Sequence, residues 1–183
     1  KKRLSDVLEL LNGLGFDYEF PNGLRADNIS IKALSMMKRK ISLLSTSIES
    51  GCPKIVNRVI KKNLNLNSIN ELAESCAKKR IPLAVHFIVG LPEESYKDIN
   101  KTLNFAAELS EKYGVIPLVQ LATPIPGSEL FNKLKLNKSQ EEDLLDNYMK
   151  YFSKGNKFSK VPFQDLDRFI ENFNVRINNK KIE

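Results

Sequence analysis

The side chains of this chain that could do chemistry cluster where four apolar segments end. Glu49 directly follows one such segment, and a carboxylate in that position is costly unless it is paired or solvated. Glu49 can accept two hydrogen bonds, from a ribose diol or from an amino group. Arg25 and Lys62 are candidate partners for a carboxylate, and only arginine can grip one through two parallel hydrogen bonds. These residue types favour a binding site for a small polar molecule.

One histidine and two glycines extend this set. His86 alternates with Ala84 and Ile88 on one strand face, where a core histidine and a ligand-facing histidine remain equally open interpretations. Gly51 and Gly90 would let the backbone approach a ligand closely. Exposed backbone amides and carbonyls after the third and fourth segments could read an adenine edge.

Alternating helices and strands must position these residues. Hydrophobic periodicity predicts strands over residues 16–22, 41–48, 81–89 and 115–122, and helices over residues 2–14, 31–39, 54–62, 67–79, 95–112, 139–151 and 164–175. Helices between short apolar strands predict right-handed β/α units around a parallel sheet. Ligands of such folds bind at the carboxyl ends of the strands. Glu93 and Glu94 are interpreted as caps of the helix that follows them.

Composition limits the class of protein. The chain has 183 residues, of which 42% are hydrophobic, so it can bury one ordinary core. No apolar run approaches the roughly 20 residues that span a bilayer, and no signal-peptide core follows the basic N-terminus, so we expect a cytoplasmic protein without a membrane partner. Cys52 and Cys76 have neither the number nor the spacing of a disulfide framework or a metal site, so no metal ligand is predicted.

The positive charge allows an RNA partner but does not locate one. The net charge is +7 and the isoelectric point is near 9.3, which is compatible with nucleic-acid binding. The charge is scattered over polar helix faces. The cluster Lys38-Arg39-Lys40 and the tail Lys180-Lys181 are of a kind that is more often solvated than functional.

Three segments in register resemble the radical S-adenosylmethionine superfamily. The run HFIVGLPE from His86 to Glu93 fits the family's GxIxGxxE pattern on its fifth strand, except that His86 replaces the first glycine. The run SIESG that ends at Gly51 resembles the "GIESG" segment of the fourth strand, and ATPIPGSELF from Ala122 resembles the "PxPGTxL" segment after the sixth. The likeness covers roughly residues 4–131 and is closest to the cobalamin-binding, elongator-like and methylthiotransferase-like branch.

This resemblance implies an α/β fold. The four predicted strands would be the third to sixth of a (β/α)6 barrel in residues 1–131, followed by a helical C-terminal extension in residues 132–183. The sequence lacks the CxxxCxxC segment that binds the family's [4Fe–4S] cluster, so this chain would be the C-terminal part of the barrel. Its partner would be the missing N-terminal half.

The family also implies roles for residues at the strand ends, all in binding the cosubstrate S-adenosylmethionine and none in catalysis. Glu49 and Ser50 would approach its ribose and methionine part, and Lys62 (or Lys61) would face its carboxylate. The remaining implied contacts are those of Arg25 with a carboxylate or substrate, of Gly51 in the fourth-strand segment, of His86 with the ribose, and of Ile88, Gly90, Ala122 and Thr123 with the adenine.

We therefore expect part of a radical S-adenosylmethionine enzyme, with an iron–sulfur cluster and in some branches cobalamin supplied by the parent chain. The fragment alone should not cleave S-adenosylmethionine. The alternative is a non-catalytic β/α domain that binds a nucleotide or RNA. Because open sheet edges recruit partners, we also expect self-association along residues 17–22.

Overall fold

Three parallel strands form the sheet of this chain in the computed structural model, which describes residues 2–146 and 158–179. The strands are β1 (Leu44–Glu49), β2 (Leu83–Val89) and β3 (Ile116–Leu121), paired in the order β1-β2-β3. The helices are α1 (Lys2–Gly13), α2 (Ile31–Met37), α3 (Asn67–Lys79), α4 (Tyr96–Tyr113), α5 (Glu129–Leu134), α6 (Lys138–Asp146) and α7 (Phe163–Asn179). A 3₁₀ helix spans Ala26–Asn28 and a π-helix spans Ile55–Val59.

The fold is α/β, as the alternating pattern predicts, but the first predicted strand, over residues 16–22, is wrong. Its backbone is irregular and turns at Pro21. The amide of Tyr18 donates to the Lys40 carbonyl and that of Leu24 to the Ser45 carbonyl, so the segment lies beside β1 without forming a ladder. The sheet is open and three-stranded, and the four-strand partial barrel is not formed by the described residues.

The two faces of the sheet differ in what covers them. Leu83, Val85, Phe87 and Val89 of β2 point into a core shared with the helices. This core also takes in residues from α2, α3, α4 and α7, whose periodicity puts their apolar stripes on the sheet side. His86 and Ile88 point to the opposite face, where Ile88 packs against a second, smaller cluster of Cys52, Ile55, Leu91 and Ala122. Strand alternation of period two thus separates the two faces, as the sequence predicts.

Local sequence sets the ends of the main helices. The Ser30 hydroxyl accepts from the Ala33 amide and begins α2. At α4, Ser95 and Asp98 form a reciprocal capping box, and Gly114 ends the helix in the left-handed conformation with φ of 70°. Capping of α4 therefore depends on Ser95 and Asp98, which the sequence analysis had not selected.

The segment after Phe131 continues into the same core. Leu166, Phe173 and Ile177 of α7 are buried there, and α7 packs against α4. The predicted helix over residues 139–151 and the basic tail from Lys180 lie partly or wholly outside the described residues, and the division into two regions at residue 131 stays a prediction. None of the described helices has the length and hydropathy that crossing a membrane requires.

Candidate functional site

A bulge at the carboxyl end of β1 positions Glu49. The pairing of β1 with β2 shifts between Ser47 and Glu49, so that Glu49 lies opposite Phe87. Glu49 has φ of 69°, a left-handed conformation that side chains other than glycine and asparagine rarely adopt. Strained backbone of this kind persists where the surrounding structure holds it, and it is common at ligand sites.

Glu49 is engaged by a lysine from the next segment. Lys62 Nζ lies 2.8 Å from Glu49 Oε1 and 3.2 Å from Ser47 Oγ, and the Ser47 hydroxyl also donates to Glu49. The side chains of Glu49 and Lys62 are 18% and 17% exposed. The π-helix Ile55–Val59 and the left-handed φ of Lys61 turn the chain so that Lys62 reaches back to β1. The predicted helix over residues 54–62 is thus a π-helical turn, a shape often found at functional sites.

A pocket of about 290 Å³ opens beside this ion pair. Its apolar wall consists of Val59, Ile60, Ile88, Leu91 and Leu130, and its charged rim of Glu49, Glu93, Glu129 and Lys133. The volume lies at the low end of the range for small-molecule sites. An apolar wall with a few charges at one rim can hold a flat heterocycle and hydrogen-bond its polar substituents.

The far rim of the pocket is tied to the π-helical segment. Glu129 Oε1 lies 2.8 Å from Lys61 Nζ and 3.2 Å from Lys133 Nζ. Hydrogen bonds from Lys61 and then Lys133 hold the pKa of Glu129 below its ordinary value. These pairs are exposed, and exposed ion pairs contribute little to stability. They can therefore open without much cost when a ligand enters.

Three of the predicted site residues, Ser50, Gly51 and Gly90, have close contacts within the fold. The Ser50 side chain is fully buried, its hydroxyl 2.7 Å from Thr102 Oγ1 and accepting from the Cys52 amide. A Cβ on Gly51 would come within 2.6 Å of Phe105 Cβ, so the close approach at Gly51 is to α4. A Cβ on Gly90, which has φ of 87°, would lie 3.1 Å from Leu166 of α7.

Arg25 and His86 lie away from the pocket. Arg25 grips Asp27 through Nε and Nη2, at 2.8 and 3.1 Å, and its Nη2 also donates to the Asn63 carbonyl. The bidentate grip predicted for Arg25 thus exists, but its partner is a carboxylate of the chain itself. His86 is half-buried, with Nε2 3.0 Å from Ser45 Oγ.

Ala122 and Thr123 follow β3, as expected. Ala122 is buried against Cys52, Ile55 and Leu91, next to the apolar wall of the pocket, and its amide donates to the Val89 carbonyl. Thr123 is half-buried, with its hydroxyl 3.4 Å from the Leu121 carbonyl.

Glu94 is a buried carboxylate. The prediction that it caps α4 is wrong, because its side chain binds the preceding loop. Its Oε2 accepts from the amides of Gly90 and Leu91, at 2.7 and 2.8 Å, and fixes the loop after β2. Its Oε1 is buried with no hydrogen-bond partner among the described residues. Burial raises the pKa of Glu94 to about 7. The two backbone hydrogen bonds lower this pKa, and the charges of Asp98 and Glu93 raise it by smaller amounts.

The described residues do not fit an iron–sulfur cluster. They contain no group of three or more His, Cys, Asp or Glu side chains placed to hold a metal ion. Cys52 and Cys76 are both buried, and burial raises the pKa of the Cys76 thiol to about 12, which disfavours the thiolate that binds iron. Any cluster that acts with this pocket takes its ligands from outside the described residues.

Comparison with known proteins finds enzymes of methyl and methylthio transfer. No protein-family model matches. The chain is 26% identical over 132 residues to an uncharacterised methyltransferase of Pyrococcus horikoshii, covering 72% of this chain and 28% of that protein. It is 26% identical over 141 residues to the tRNA-2-methylthio-N(6)-dimethylallyladenosine synthase of a Ruegeria species, covering 76% and 31%.

A third relative is the bacteriochlorophyllide d C-12(1)-methyltransferase of Chlorobaculum tepidum, 27% identical over 93 residues, which are 51% of this chain and 20% of that enzyme. The chain therefore spans about a third or less of the length of these curated relatives. The similarity indicates an origin among transferases.

Proposed function

We propose that this chain is part of a radical S-adenosylmethionine enzyme of methyl or methylthio transfer, and that the pocket beside Glu49 holds the adenosine part of the cosubstrate. One observation carries the proposal: an apolar pocket and a half-buried ion pair meet at the carboxyl edge of a parallel sheet, where ligands of such folds bind. The transferase relatives support it.

The pocket and the ion pair would bind different parts of the cosubstrate. The apolar wall, with Ile88 from β2, would take the adenine ring, and Glu49 would accept hydrogen bonds from the ribose hydroxyls. Lys62, which holds Glu49 in place, would be the cation for the carboxylate of the methionine part. Ala122 and Thr123 would close the adenine side from the segment after β3.

The cofactors supply the reactive chemistry, and these residues bind and orient. In the proposed enzyme an iron–sulfur cluster would supply the reducing electron and, in the methyl-transferring branches, cobalamin would be the methyl carrier, both held by residues outside those that the structure describes. The chain's own part is to exclude water from the adenosine and to fix its ribose.

Calorimetric titration of the chain with S-adenosylmethionine tests the binding role. We expect saturable binding that Glu49→Gln weakens about tenfold, because hydrogen bonds to a charged group contribute roughly 1.5–3 kcal/mol. Leu130→Glu, which puts a charge into the apolar wall, should abolish it. Glu19→Gln is the matched control, since Glu19 also bonds a serine hydroxyl but lies elsewhere, beside Ser42.

Two outcomes would contradict this proposal. One is the absence of saturable binding, and the other is an equal loss in Glu49→Gln and Glu19→Gln. We also expect no 5′-deoxyadenosine from this chain with S-adenosylmethionine and a reductant, because the described residues do not hold a cluster. RNA binding without any S-adenosylmethionine binding would favour the alternative, a non-catalytic domain for nucleotides or RNA.

A further inference from the structure

Cationic side chains gather at the sheet edge opposite the pocket. Because the strands are parallel, the connections α2–β1, α3–β2 and α4–β3 all meet at the amino ends of the strands. Each connection carries cations. We call these residues the basic rim: Lys38, Arg39, Lys40, Lys78, Lys79, Arg80 and Lys112.

Contacts between neighbouring helices show that the rim is continuous. Lys79 Nζ of α3 donates to Ser35 Oγ of α2 at 2.9 Å. Hydrogen bonding from Lys78, with a further contribution from the charge of Lys112 on α4, lowers the pKa of Glu74. The three connections therefore lie side by side, and their charges act on one stretch of surface.

Carboxylates neutralise only part of this charge. Lys40 pairs with Asp17 at 3.5 Å and Lys78 with Glu74 at 2.6 Å. Within the described parts of the chain, no carboxylate lies within 4.0 Å of the cationic groups of Lys38, Arg39 or Arg80. All three side chains are exposed.

The backbone gives a second, independent indication. Arg39 and Arg80 have φ of 68° and 57°, the left-handed conformation in which helices usually end on glycine. The neighbouring helix α4 does end this way, at Gly114. Arginine is the less favourable residue at such positions, and neither of these exposed side chains packs into the core. Neither arginine is therefore required for packing, and glycine would suit both positions better.

Favourable interaction with helix dipoles accounts for only some of the rim. Cations in the last turn of a helix are stabilising, which explains Lys78 and Lys79 of α3 and Lys112 of α4. The helix dipole does not explain Arg39, which lies beyond the end of α2. It also gives no reason for arginine instead of glycine at residue 80.

We propose that the basic rim binds the phosphate backbone of a nucleic acid, without reading its base sequence. Neighbouring packed helices lie about 8–10 Å apart, so the arginines of adjacent connections can each grip a different phosphate. A duplex carries one charge per roughly 1.7 Å of axis and offers several phosphates over that span. The apolar residues that follow the three clusters, Ile41, Ile81 and Val115, are buried, which favours a polyanion over a lipid surface. This inference does not depend on the proposed cosubstrate site.

The test compares two double variants that remove the same charge. Binding of a short fluorescein-labelled RNA duplex is followed by fluorescence anisotropy between about 50 and 200 mM salt. We expect Arg39→Gly/Arg80→Gly to weaken binding at least about tenfold and to lower the salt slope by about two, one for each lost phosphate contact. The control Lys97→Gln/Lys101→Gln removes two cations from the first half of α4 and should change affinity less than about twofold.

Thermal unfolding separates a binding role from a structural one. Because glycine suits both left-handed positions, the arginine double variant should melt at the same temperature as the parent chain or higher. The proposal is overturned if the chain does not bind the duplex at low salt, if both variants lose affinity equally, or if the arginine variant melts lower. Tighter binding to phosphatidylserine vesicles than to the duplex would also overturn it.

Discussion

Glu94 puts a carboxylate into the core with only one of its oxygens hydrogen-bonded among the described residues. Its pKa of about 7 in the folded chain lies above its ordinary value of 4.5. The folded state therefore holds this proton more tightly than the unfolded state does. The resulting stability is fully present below about pH 4.5 and is lost as the pH rises through about 7.

We predict that Glu94→Gln removes this pH dependence. For the parent chain, the free energy of unfolding should fall by up to roughly 3 kcal/mol between about pH 5 and pH 8, since each unit of pKa difference corresponds to about 1.4 kcal/mol. Urea unfolding at several pH values measures it. Glu108→Gln, an exposed carboxylate of α4, should keep the parent's slope, and a Glu94→Gln chain with an unchanged slope would contradict the argument.

At the residue scale the sequence predicts where polar groups gather better than it predicts their partners. The family resemblance implies that Glu49 and Lys62 contact the same ligand, and in the structure their side chains also bind each other. Ser50 and Gly51 were assigned to a ligand, but they contact Thr102 and Phe105, about fifty residues away in sequence. A short motif does not reveal which distant helix will pack on it.

The contact between the loop after β1 and α4 permits a paired test at the element scale. Gly51→Ala places a methyl group 2.6 Å from Phe105 Cβ and 3.0 Å from the Lys101 carbonyl oxygen. We expect a loss of about 1–3 kcal/mol, the usual cost of overpacking. Gly13→Ala is the control, because a Cβ there meets nothing within 4 Å, and it should stabilise α1 by up to about 1 kcal/mol. Equal stability of the two variants in denaturant melts would refute the packing role of Gly51.

Hydrophobic periodicity correctly predicts most helices and three of the four strands that it indicates. The failure at residues 16–22 has a specific cause. Phe16, Tyr18 and Phe20 alternate as in a strand, but Tyr18 turns to give its hydroxyl to the Met36 carbonyl and packs edge-on against Phe20, 5.9 Å between ring centres. These alternating aromatic residues pack against other parts of the chain, and such tertiary contacts override the local preference for a strand.

At the scale of the whole molecule, Pro117 in the sequence indicates that β3 is an edge strand. Proline cannot donate to a ladder and is confined to edge strands, and β3 is indeed an edge of the sheet. The expectation of an open edge was placed on residues 17–22 instead. Just after that segment, the Leu24 amide donates to the Ser45 carbonyl, so irregular backbone covers part of β1. A partner chain on this side would therefore meet an irregular segment and not a free strand edge.

Self-association along residues 17–22 remains a prediction, and light scattering across a concentration series tests it. If this side pairs two chains, Phe16→Ser should shift the equilibrium towards monomer, because it removes an apolar side chain that is 55% exposed beside the segment. Ile125→Ser is the matched control, equally exposed but on the loop after β3. A parent chain that is monomeric throughout, or equal effects of both substitutions, would contradict the prediction.

The packing of α7 on α4 has a consequence for synthesis. Leu166, Phe173 and Ile177 complete the core beside β3, yet the ribosome makes them some 40 to 60 residues after that strand. At about 5–20 residues per second, the nascent chain holds this side of its core uncovered for several seconds. During that interval its apolar surface is open to chaperones, and a pause in translation before Phe163 would lengthen the exposure.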